Sequence, residues 1–230
     1  MTNIAILGRL TRSRDQDHAY TGDMSYVSQD DRRRQLIEAA VRVLQRDGAD
    51  HVTTRAIAAE ADAPLASIHY TFGSKTDVVR AAFEHVIGEL MTELGQAVTT
   101  GNGMAAGVVA VFTRVGQLLD DPRFAIVMGD LTPTADPWMR EQIEGVIRYC
   151  ENLLRTEAEA AGEPPPAIGY AQASRVMMAG IDGLIMQFEM HGNTRRARAD
   201  LAAMAKLLAA AVAGLPTPPA ATPRSHGDHG

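Results

Sequence analysis

The stretch from Ala66 to Lys75, ASIHYTFGSK, concentrates side chains that could do chemistry. Ser67 and His69 are the types of a nucleophile and its base, histidine can bind a metal, and lysine beside hydroxyls can hold phosphate. Positions i and i+2 of a helix do not face each other, so Ser67 and His69 form no local catalytic pair. No H-x-x-x-H or HExxH spacing occurs here, so we expect no metal site. A helical corner that contacts phosphate is the favoured interpretation.

The composition of the chain predicts an all-α fold. Of its 230 residues 46% are hydrophobic and 22% charged, ordinary values for a globular protein, while aromatic residues make up only 5%. Alanine dominates and strand-like alternation is scarce. The single cysteine, Cys150, excludes an intramolecular disulfide and a cysteine-based zinc site. No apolar run approaches the roughly 20 residues of a membrane span, and no signal peptide is recognisable, so we expect a cytoplasmic protein with no membrane contact.

Helical periodicity and breaker residues divide the chain into about nine helices. We expect a flexible extension over residues 1–27, with Met24 as a possible alternative start, and a disordered proline-rich tail over 215–230. The tail ends in SHGDHG, which could bind a metal weakly. Between them we predict a front unit of three short helices over 28–76 and a larger bundle of about six helices over 77–214. The second and third predicted helices lie in the segments HVTTRAIAAEAD, residues 51–62 with Thr53 or Thr54 as N-cap, and APLASIHY, residues 63–70. The other predicted helices span residues 30–47, 75–99, 103–120, 122–131, 136–161, 167–190 and 194–213.

Charge is distributed unevenly along these helices. Residues 28–76 hold seven Lys/Arg and seven Asp/Glu, whereas residues 77–214 carry the whole net charge of −6. The front unit is therefore the less acidic one, and Arg32, Arg33 and Arg34 are its basic cluster. These arginines are equally consistent with a solvated helix start and with attraction of phosphate from the flank.

The first three helices have the pattern of a helix-turn-helix. A short third helix can lie in the major groove of DNA, and the start of the second can meet the phosphate backbone. The segment VTTRAIAAEADAPLASIHYTFGSKTDVVRAAFEHV, residues 52–86, resembles the DNA-binding segment of the TetR family of bacterial transcriptional repressors. The resemblance covers residues 32 to about 85. The later helices match the family only in number and length.

The resemblance implies a role for each matching residue. Thr54 would bind a phosphate, and Arg55 would reach a base edge or a phosphate. Phe72 would be a buried wedge between the third and fourth helices, without contact to DNA. The full set of implied DNA-binding residues is Thr53, Thr54, Arg55, Pro64, Leu65, Ala66, Ser67, His69, Tyr70 and Lys75, of which 64–67 would face bases and His69, Tyr70 and Lys75 would hold the backbone.

Two positions depart from the family's pattern. Asp62 replaces the usual glycine of the turn, which is tolerable because Asp adopts left-handed geometry more readily than most residues. His69 stands where a tyrosine is usual, and its phosphate contact is expected to strengthen as pH falls. Because Pro64, Leu65 and Ala66 offer few hydrogen-bond donors, we expect base recognition to depend on thymine methyl groups and Arg55.

The later helices contain residues suited to an apolar ligand pocket. Methionine side chains adapt to different ligands, and polar groups would fix a ligand's orientation. Each residue could equally belong to the core or to an interface. Arg175 and Asp182 lie seven apart on one helix face and could either orient a ligand or pair across an interface. The candidate pocket residues are Phe112, Met128, Trp138, Tyr149, Met177, Met178, Asp182 and Met186.

Small residues on the last two helices, at 167–190 and 194–213, predict close helix packing between two subunits. A two-fold dimer would read a palindromic operator. We therefore expect a homodimeric repressor that a small apolar or amphipathic effector releases from DNA, with no cofactor and no catalytic activity. Two alternatives remain: an all-helical lipid- or small-molecule-binding protein or enzyme without DNA-binding function, and a DNA-binding protein without an effector.

Overall fold

A computed structural model describes residues 28–129 and 136–214 of the chain. Within these ranges the chain forms nine α-helices, one 3-10 turn at Ala49–His51 and no strand, so the all-α prediction is confirmed. The predicted extension at 1–27, the alternative start at Met24 and the tail at 215–230 lie outside the described residues. The helices are α1 Gln29–Asp47, α2 Thr54–Glu60, α3 Leu65–Phe72, α4 Lys75–Ala97, α5 Met104–Leu118, α6 Pro122–Gly129, α7 Pro137–Ala161, α8 Tyr170–His191 and α9 Thr194–Gly214.

Side-chain caps explain where the front helices begin. The Ser28 hydroxyl accepts a hydrogen bond from the backbone N–H of Asp31 at 3.1 Å, and Ser74 does the same for Asp77 at 3.2 Å. Each cap satisfies one of the N–H groups that a helix leaves without a partner in its first turn. Gly48 ends α1 with a φ of 76°, a left-handed geometry that glycine adopts without strain.

Helices α1 to α4 enclose the front part of the hydrophobic core, which continues into the later helices. Leu36, Ile57, Ile68 and Val78, one from each helix, are fully buried at its centre. Helix α1 packs against α2 and α4, and α3 packs between α2 and α4. The two short helices are therefore fixed by the apolar faces of two longer ones, because helices of seven and eight residues have little stability alone.

The remaining helices form a second, larger bundle. Helix α9 packs along α5, α8 packs against α7 and α9, and Phe112, Leu154 and Leu201 are buried between them. Arg198 of α9 donates from Nε to the carbonyl oxygen of Gly116 on α5 at 2.9 Å. This bundle follows the helix-turn-helix unit in the chain, as predicted.

Two carboxylates of the α7 region hold the turn between α4 and α5. Glu157 is buried and accepts a hydrogen bond from the backbone N–H of Gly101 at 3.1 Å. Glu163 accepts one from the N–H of Met104 at 2.8 Å and so caps α5, whose own N-cap residue, Gly103, has no side chain to do so.

None of the helices in the described part of the chain combines the length and the apolar character needed to cross a bilayer.

Candidate nucleic-acid interface and ligand cavity

The start of α2 presents polar groups to solvent. Thr53 is the N-cap, and its hydroxyl oxygen accepts a hydrogen bond from the backbone N–H of Ala56 at 3.1 Å. A hydroxyl that accepts in this way still has a hydrogen to donate. Thr54, the first helical residue, is half-buried, and Arg55 is exposed. This helix end therefore offers a hydroxyl and a guanidinium in adjoining positions, a combination suited to phosphate.

Helix α3 has one buried face and one exposed face. Ile68 is fully buried and anchors the helix, while Tyr70 is 82% exposed and Leu65 38%. Pro64, Ala66 and His69 are also exposed, and Ser67 is half-buried. Positions 66, 69 and 70 share a side of the helix because they are three and four residues apart. A largely exposed aromatic residue on a short helix is typical of a surface that binds a partner molecule.

The turn between α2 and α3 sets the angle of the exposed helix. Asp62 has a φ of 47°, and it is the one non-glycine residue with a positive φ in the described part of the chain. The predicted left-handed geometry of Asp62 is therefore confirmed. The backbone N–H of Ala63 reaches back to the carbonyl of Ala58 at 2.9 Å, and Gln35 of α1 donates from Nε2 to the carbonyl of Ala61 at 2.7 Å. This last contact, which ties the turn to α1, was not predicted from the sequence.

Lys75 and His69 contact backbone carbonyls. The Nζ of Lys75 donates to the carbonyl of Val52 at 2.9 Å and so links the start of α4 to the segment before α2. An ammonium has three donors, so this contact leaves two for a phosphate. The Nδ1 of His69 lies 3.4 Å from the carbonyl oxygen of Gly73. The opposite ring nitrogen, Nε2, is then the atom that can reach outward.

Each arginine of the basic cluster at 32–34 contacts another side chain of the protein. Arg33 lies over the ring of Phe72, with its guanidinium carbon 4.6 Å from the centroid. Arg34 pairs with Asp31, and Arg32 donates to Gln35. Phe72, at the end of α3, packs against the core but is only half-buried, whereas the resemblance implied a buried wedge between the third and fourth helices. Arg33 is thus part of the packing around this ring.

A charged pairing also joins α2 to α1. Glu60 accepts from Arg42 at 2.8 Å and from Arg46 at 2.9 Å. The hydrogen bond from Arg42, followed by that from Arg46, lowers the pKa of Glu60. All three groups are solvent-accessible, so this pairing contributes little to the free energy of folding, although it links α2 to α1.

An apolar cavity of about 110 Å³ lies between α4, α5, α6, α7 and α8. Phe83, Leu90 and Met91 of α4 contribute to its wall, as do Met178 and Asp182 of α8 and Met128 of α6. The lining residues are Phe83, Ile87, Leu90, Met91, Leu94, Val111, Val115, Leu118, Phe124, Val127, Met128, Met139, Gln142, Ile143, Val146, Cys150, Met178, Ile181 and Asp182.

Three of the predicted pocket residues, Met128, Met178 and Asp182, line this cavity. Trp138 lies behind the wall, where its ring meets that of Phe83 edge-on at 5.3 Å and its Nε1 donates to Glu84 at 2.9 Å. The other predicted residues lie elsewhere.

The structure places those four residues in separate surroundings. Met177 lines a second apolar cavity of about 100 Å³ between α5, α7, α8 and α9. Phe112 is a core residue, and Met186 is 64% exposed on α8. Tyr149 packs against Gly95 of α4.

Cys150 lines the cavity as an unreactive thiol. It is 1% exposed, and burial raises its pKa to about 12. Its Sγ lies 4.0 Å from the sulfur of Met178. Because the thiolate is the reactive form, a thiol in this setting contributes apolar packing and not redox chemistry. Within the described ranges no group of three His, Cys, Asp or Glu residues is placed to hold a metal ion.

Helix α4 connects the two parts of the site. Its first turns pack against α1 and α3, and its later turns line the cavity. Arg123 of α6 bonds Glu93 of α4 at 2.9 Å and Glu89 at 3.2 Å, and Arg114 of α5 also bonds Glu93. Arg80 of α4 pairs with Asp136, the cap of α7, at 2.8 Å. The same helix, α4, therefore both lines the cavity and supports α3.

Comparison with known proteins agrees with this arrangement. A family model described as bacterial regulatory proteins, tetR family, matches residues 36–82, which run from α1 to the first turns of α4. The HTH-type nicotine-responsive transcriptional repressor HdnoR of Paenarthrobacter nicotinovorans is 40% identical over 72 residues, 31% of this chain and 37% of that protein. The HTH-type transcriptional regulator BetI of Brucella suis biovar 1 (strain 1330) is 27% identical over 192 residues, 81% of this chain and 94% of its own length.

Solved structures share the fold over most of the chain. A TetR transcription regulator from Haloarcula marismortui ATCC 43049 superposes with a TM-score of 0.65 at 17% identity, covering 80% of this chain and 98% of that one. The transcriptional regulator FadR from Bacillus subtilis, in complex with stearoyl-CoA, gives a TM-score of 0.57 at 20% identity, covering 79% and 98%. At these identities the likeness concerns the fold alone.

Proposed function

We propose that this chain, which belongs to the TetR family of bacterial regulatory proteins, is a ligand-responsive repressor of transcription that binds duplex DNA through α2 and α3. The observation that carries the proposal is the exposed face of α3, held by a buried Ile68 and a pinned turn while Tyr70 stays 82% exposed. The family model matches this same segment. A DNA target also implies action in the cytoplasm.

The predicted DNA-binding residues fit this role by their placement. Pro64, Leu65 and Ala66 are exposed at the start of α3, where a recognition helix meets base edges. His69, Tyr70 and Lys75 follow at its end, near where a phosphate backbone would pass. We propose residues 28–76 as the DNA-binding unit and 77–214 as the effector and dimer unit, with α4 shared between them.

We propose that α8 and α9 form the dimer interface. Val176, Met186 and Met190 are 45%, 64% and 66% exposed on α8, and Leu207 is 67% exposed on α9. Exposed apolar side chains on two neighbouring helices, interspersed with small residues such as Gly183, suit a four-helix contact with a second copy. The two copies would present two α3 helices to one face of DNA.

An effector in the α4–α8 cavity would release the DNA. A ligand shifts the equilibrium only if it binds one conformation better than the other. The cavity wall and the support of α3 are parts of the same helix, α4, so a ligand that moves the wall changes the position of α3. We propose this displacement as the regulatory step.

A salt titration of DNA binding tests the proposal. Fluorescence anisotropy of the full chain on duplex DNA should show affinity falling steeply as salt rises, because phosphate contacts release counterions. Arg55→Ala should weaken binding by about 1–3 kcal/mol. If the Arg55→Ala variant keeps the native salt dependence of its DNA affinity but loses sequence preference, Arg55 contacts a base. If the slope of log affinity against log salt concentration falls by about one, Arg55 contacts a phosphate.

The matched control is Arg140→Ala, which removes an exposed arginine on α7 far along the chain from α2. It should leave DNA affinity unchanged. Salt-independent or absent DNA binding by the native chain would favour the alternative of a small-molecule-binding protein without DNA-binding function.

A further inference from the structure

The cavity between α4 and α8 is apolar except at one point. Sixteen of its nineteen lining residues are hydrocarbon or thioether side chains, and the exceptions are Gln142, Cys150 and Asp182. The Cys150 thiol stays protonated, so Asp182 is the only group on the described lining that carries a formal charge. A single carboxylate therefore defines the polarity of the whole site.

Within one subunit, Asp182 has no cation to balance it. Among the described residues no Lys, Arg or His forms an ion pair with it, although thirteen such pairs occur elsewhere. Its side chain keeps contact with solvent while also lining the cavity, which places it at the rim. Desolvation by its apolar neighbours raises its pKa. A carboxylate that has lost part of its hydration and gained no partner gains most from a ligand that brings a cation.

We propose that the effector of this protein is a small organic monocation with an apolar body about the size of one ring. Its ammonium group pairs with Asp182 at the rim, and its apolar body enters the cavity between α4 and α6. This inference rests on the proposed function, because it names the chemical class of the ligand that the regulatory site takes.

The size of the cavity limits the body of the ligand. At about 110 Å³ the cavity is somewhat smaller than the roughly 150 Å³ that admits benzene. Met91, Met128, Met139 and Met178 line it, and flexible thioether chains can yield enough for a single ring. A long acyl chain does not fit this volume, and an acidic ligand would meet the charge of Asp182.

Three ligands of nearly equal shape test the charge preference. Benzylamine is a cation at neutral pH, benzyl alcohol is neutral and benzoate is an anion. Isothermal titration of the full-length protein should rank them in that order, with benzylamine at least about tenfold tighter than benzyl alcohol, since a charge-assisted hydrogen bond is worth more than a neutral one. Asp182→Asn should remove this preference while benzyl alcohol still binds.

Glu189→Gln is the matched control, because Glu189 is an exposed carboxylate two turns further along α8 and does not line the cavity. It should retain the preference for benzylamine. Equal affinities for benzylamine and benzyl alcohol in the native protein, a preference for benzoate, or binding of none of the three would overturn the proposal. So would an Asp182→Asn variant that keeps the cation preference but loses the dimer, because Asp182 would then be an interface residue.

DNA binding, measured on the same preparations, separates this inference from the proposed function. DNA binding without a preference for benzylamine contradicts the cation site alone. If the protein prefers benzylamine through Asp182 but does not bind DNA, the cation site is supported and the proposed function as a DNA-binding regulator is contradicted.

Discussion

Asp62 holds the most constrained backbone position in the DNA-binding unit. Its φ of 47° directs the chain from α2 into α3, and glycine is the residue that adopts such a conformation without strain. Aspartate tolerates it because its short polar side chain can interact with the local backbone. The direction of the chain into the recognition helix therefore depends in part on a residue whose side chain is exposed to solvent.

Substitutions at Asp62 should separate backbone strain from side-chain chemistry. Asp62→Ala should lower the free energy of unfolding by about 1 kcal/mol, because alanine pays the cost of the left-handed conformation. Asp62→Gly should cost less than Asp62→Ala, since glycine has no Cβ to strain. Urea denaturation of both variants provides the measurement. An alanine variant as stable as the native protein would show that the turn rearranges without cost.

At the scale of helices, Arg123 joins three structural elements. It bonds Asp121, which precedes α6, and both Glu89 and Glu93 of α4. The hydrogen bond from Arg123 is the main cause that lowers the pKa of Asp121. Desolvation alone would raise the pKa of Glu93, yet its bonds to Arg114 and Arg123 leave it below the ordinary value. Both carboxylates therefore favour the folded state when they are ionised.

The contribution of Arg123 should depend on pH in a defined direction. Because the folded-state pKa values are lowered, the stabilisation is complete above the ordinary carboxyl range, near pH 4, and is lost as pH falls below it. Arg123→Gln should reduce the free energy of unfolding by about 1 kcal/mol at pH 7, a modest value because the network is partly exposed. The difference from the native protein should shrink in acid.

Urea denaturation at a series of pH values measures this dependence, with Arg140→Gln as an exposed control on α7. A destabilisation by Arg123→Gln that stays constant from pH 7 to acid would assign the effect to packing of the side chain and not to its charge.

Helix positions were predictable because their signals are local. Ser74, Asp77 and Pro137 mark helix starts through caps and first-turn preferences, and Gly48 marks an end, so the predicted ranges differ from the structure by a few residues. Contacts between distant segments carry no such signal. The bonds from Gln35 to Ala61 and from Lys75 to Val52 join residues 26 and 23 positions apart and depend on how the helices pack.

The cavity lining also depends on contacts that local sequence signals do not predict. Met177 and Met178 are neighbours in sequence, yet they line different cavities, because successive residues on a helix point about 100° apart. An apolar stripe looks the same in sequence whether it fills a core or lines a pocket. Composition therefore predicted a methionine-rich pocket, whereas its walls, including Leu90, Leu94 and Phe124, follow from the packing of five helices.

For the molecule as a whole, we propose that assembly depends on the exposed faces of α8 and α9. Gly183 of α8 and Gly88 of α4 are both exposed, and a Cβ added at either would meet nothing within 4 Å. Neither replacement disturbs the folded subunit, and each should favour its helix because glycine is a poor helix former. The two positions differ in that only Gly183 lies on the proposed dimer face.

Gly183→Gln should convert the dimer to a monomer, because a long side chain would hold the two α8 helices apart. Gly88→Gln should remain dimeric. Sedimentation velocity of both variants gives the answer directly. If the Gly183 variant remains a dimer, the two copies meet through another surface.

The most direct test of the whole account is a selection of duplexes from a random-sequence DNA pool by the full-length protein, followed by sequencing. We predict enrichment of a palindrome whose half-sites are separated by whole turns of DNA, because a two-fold dimer presents two α3 helices. The half-site preference should weaken when Arg55 and Leu65 are each replaced by alanine. Sequencing that finds no enriched motif, or a motif unaffected by both replacements, would contradict the assignment of DNA recognition to α2 and α3.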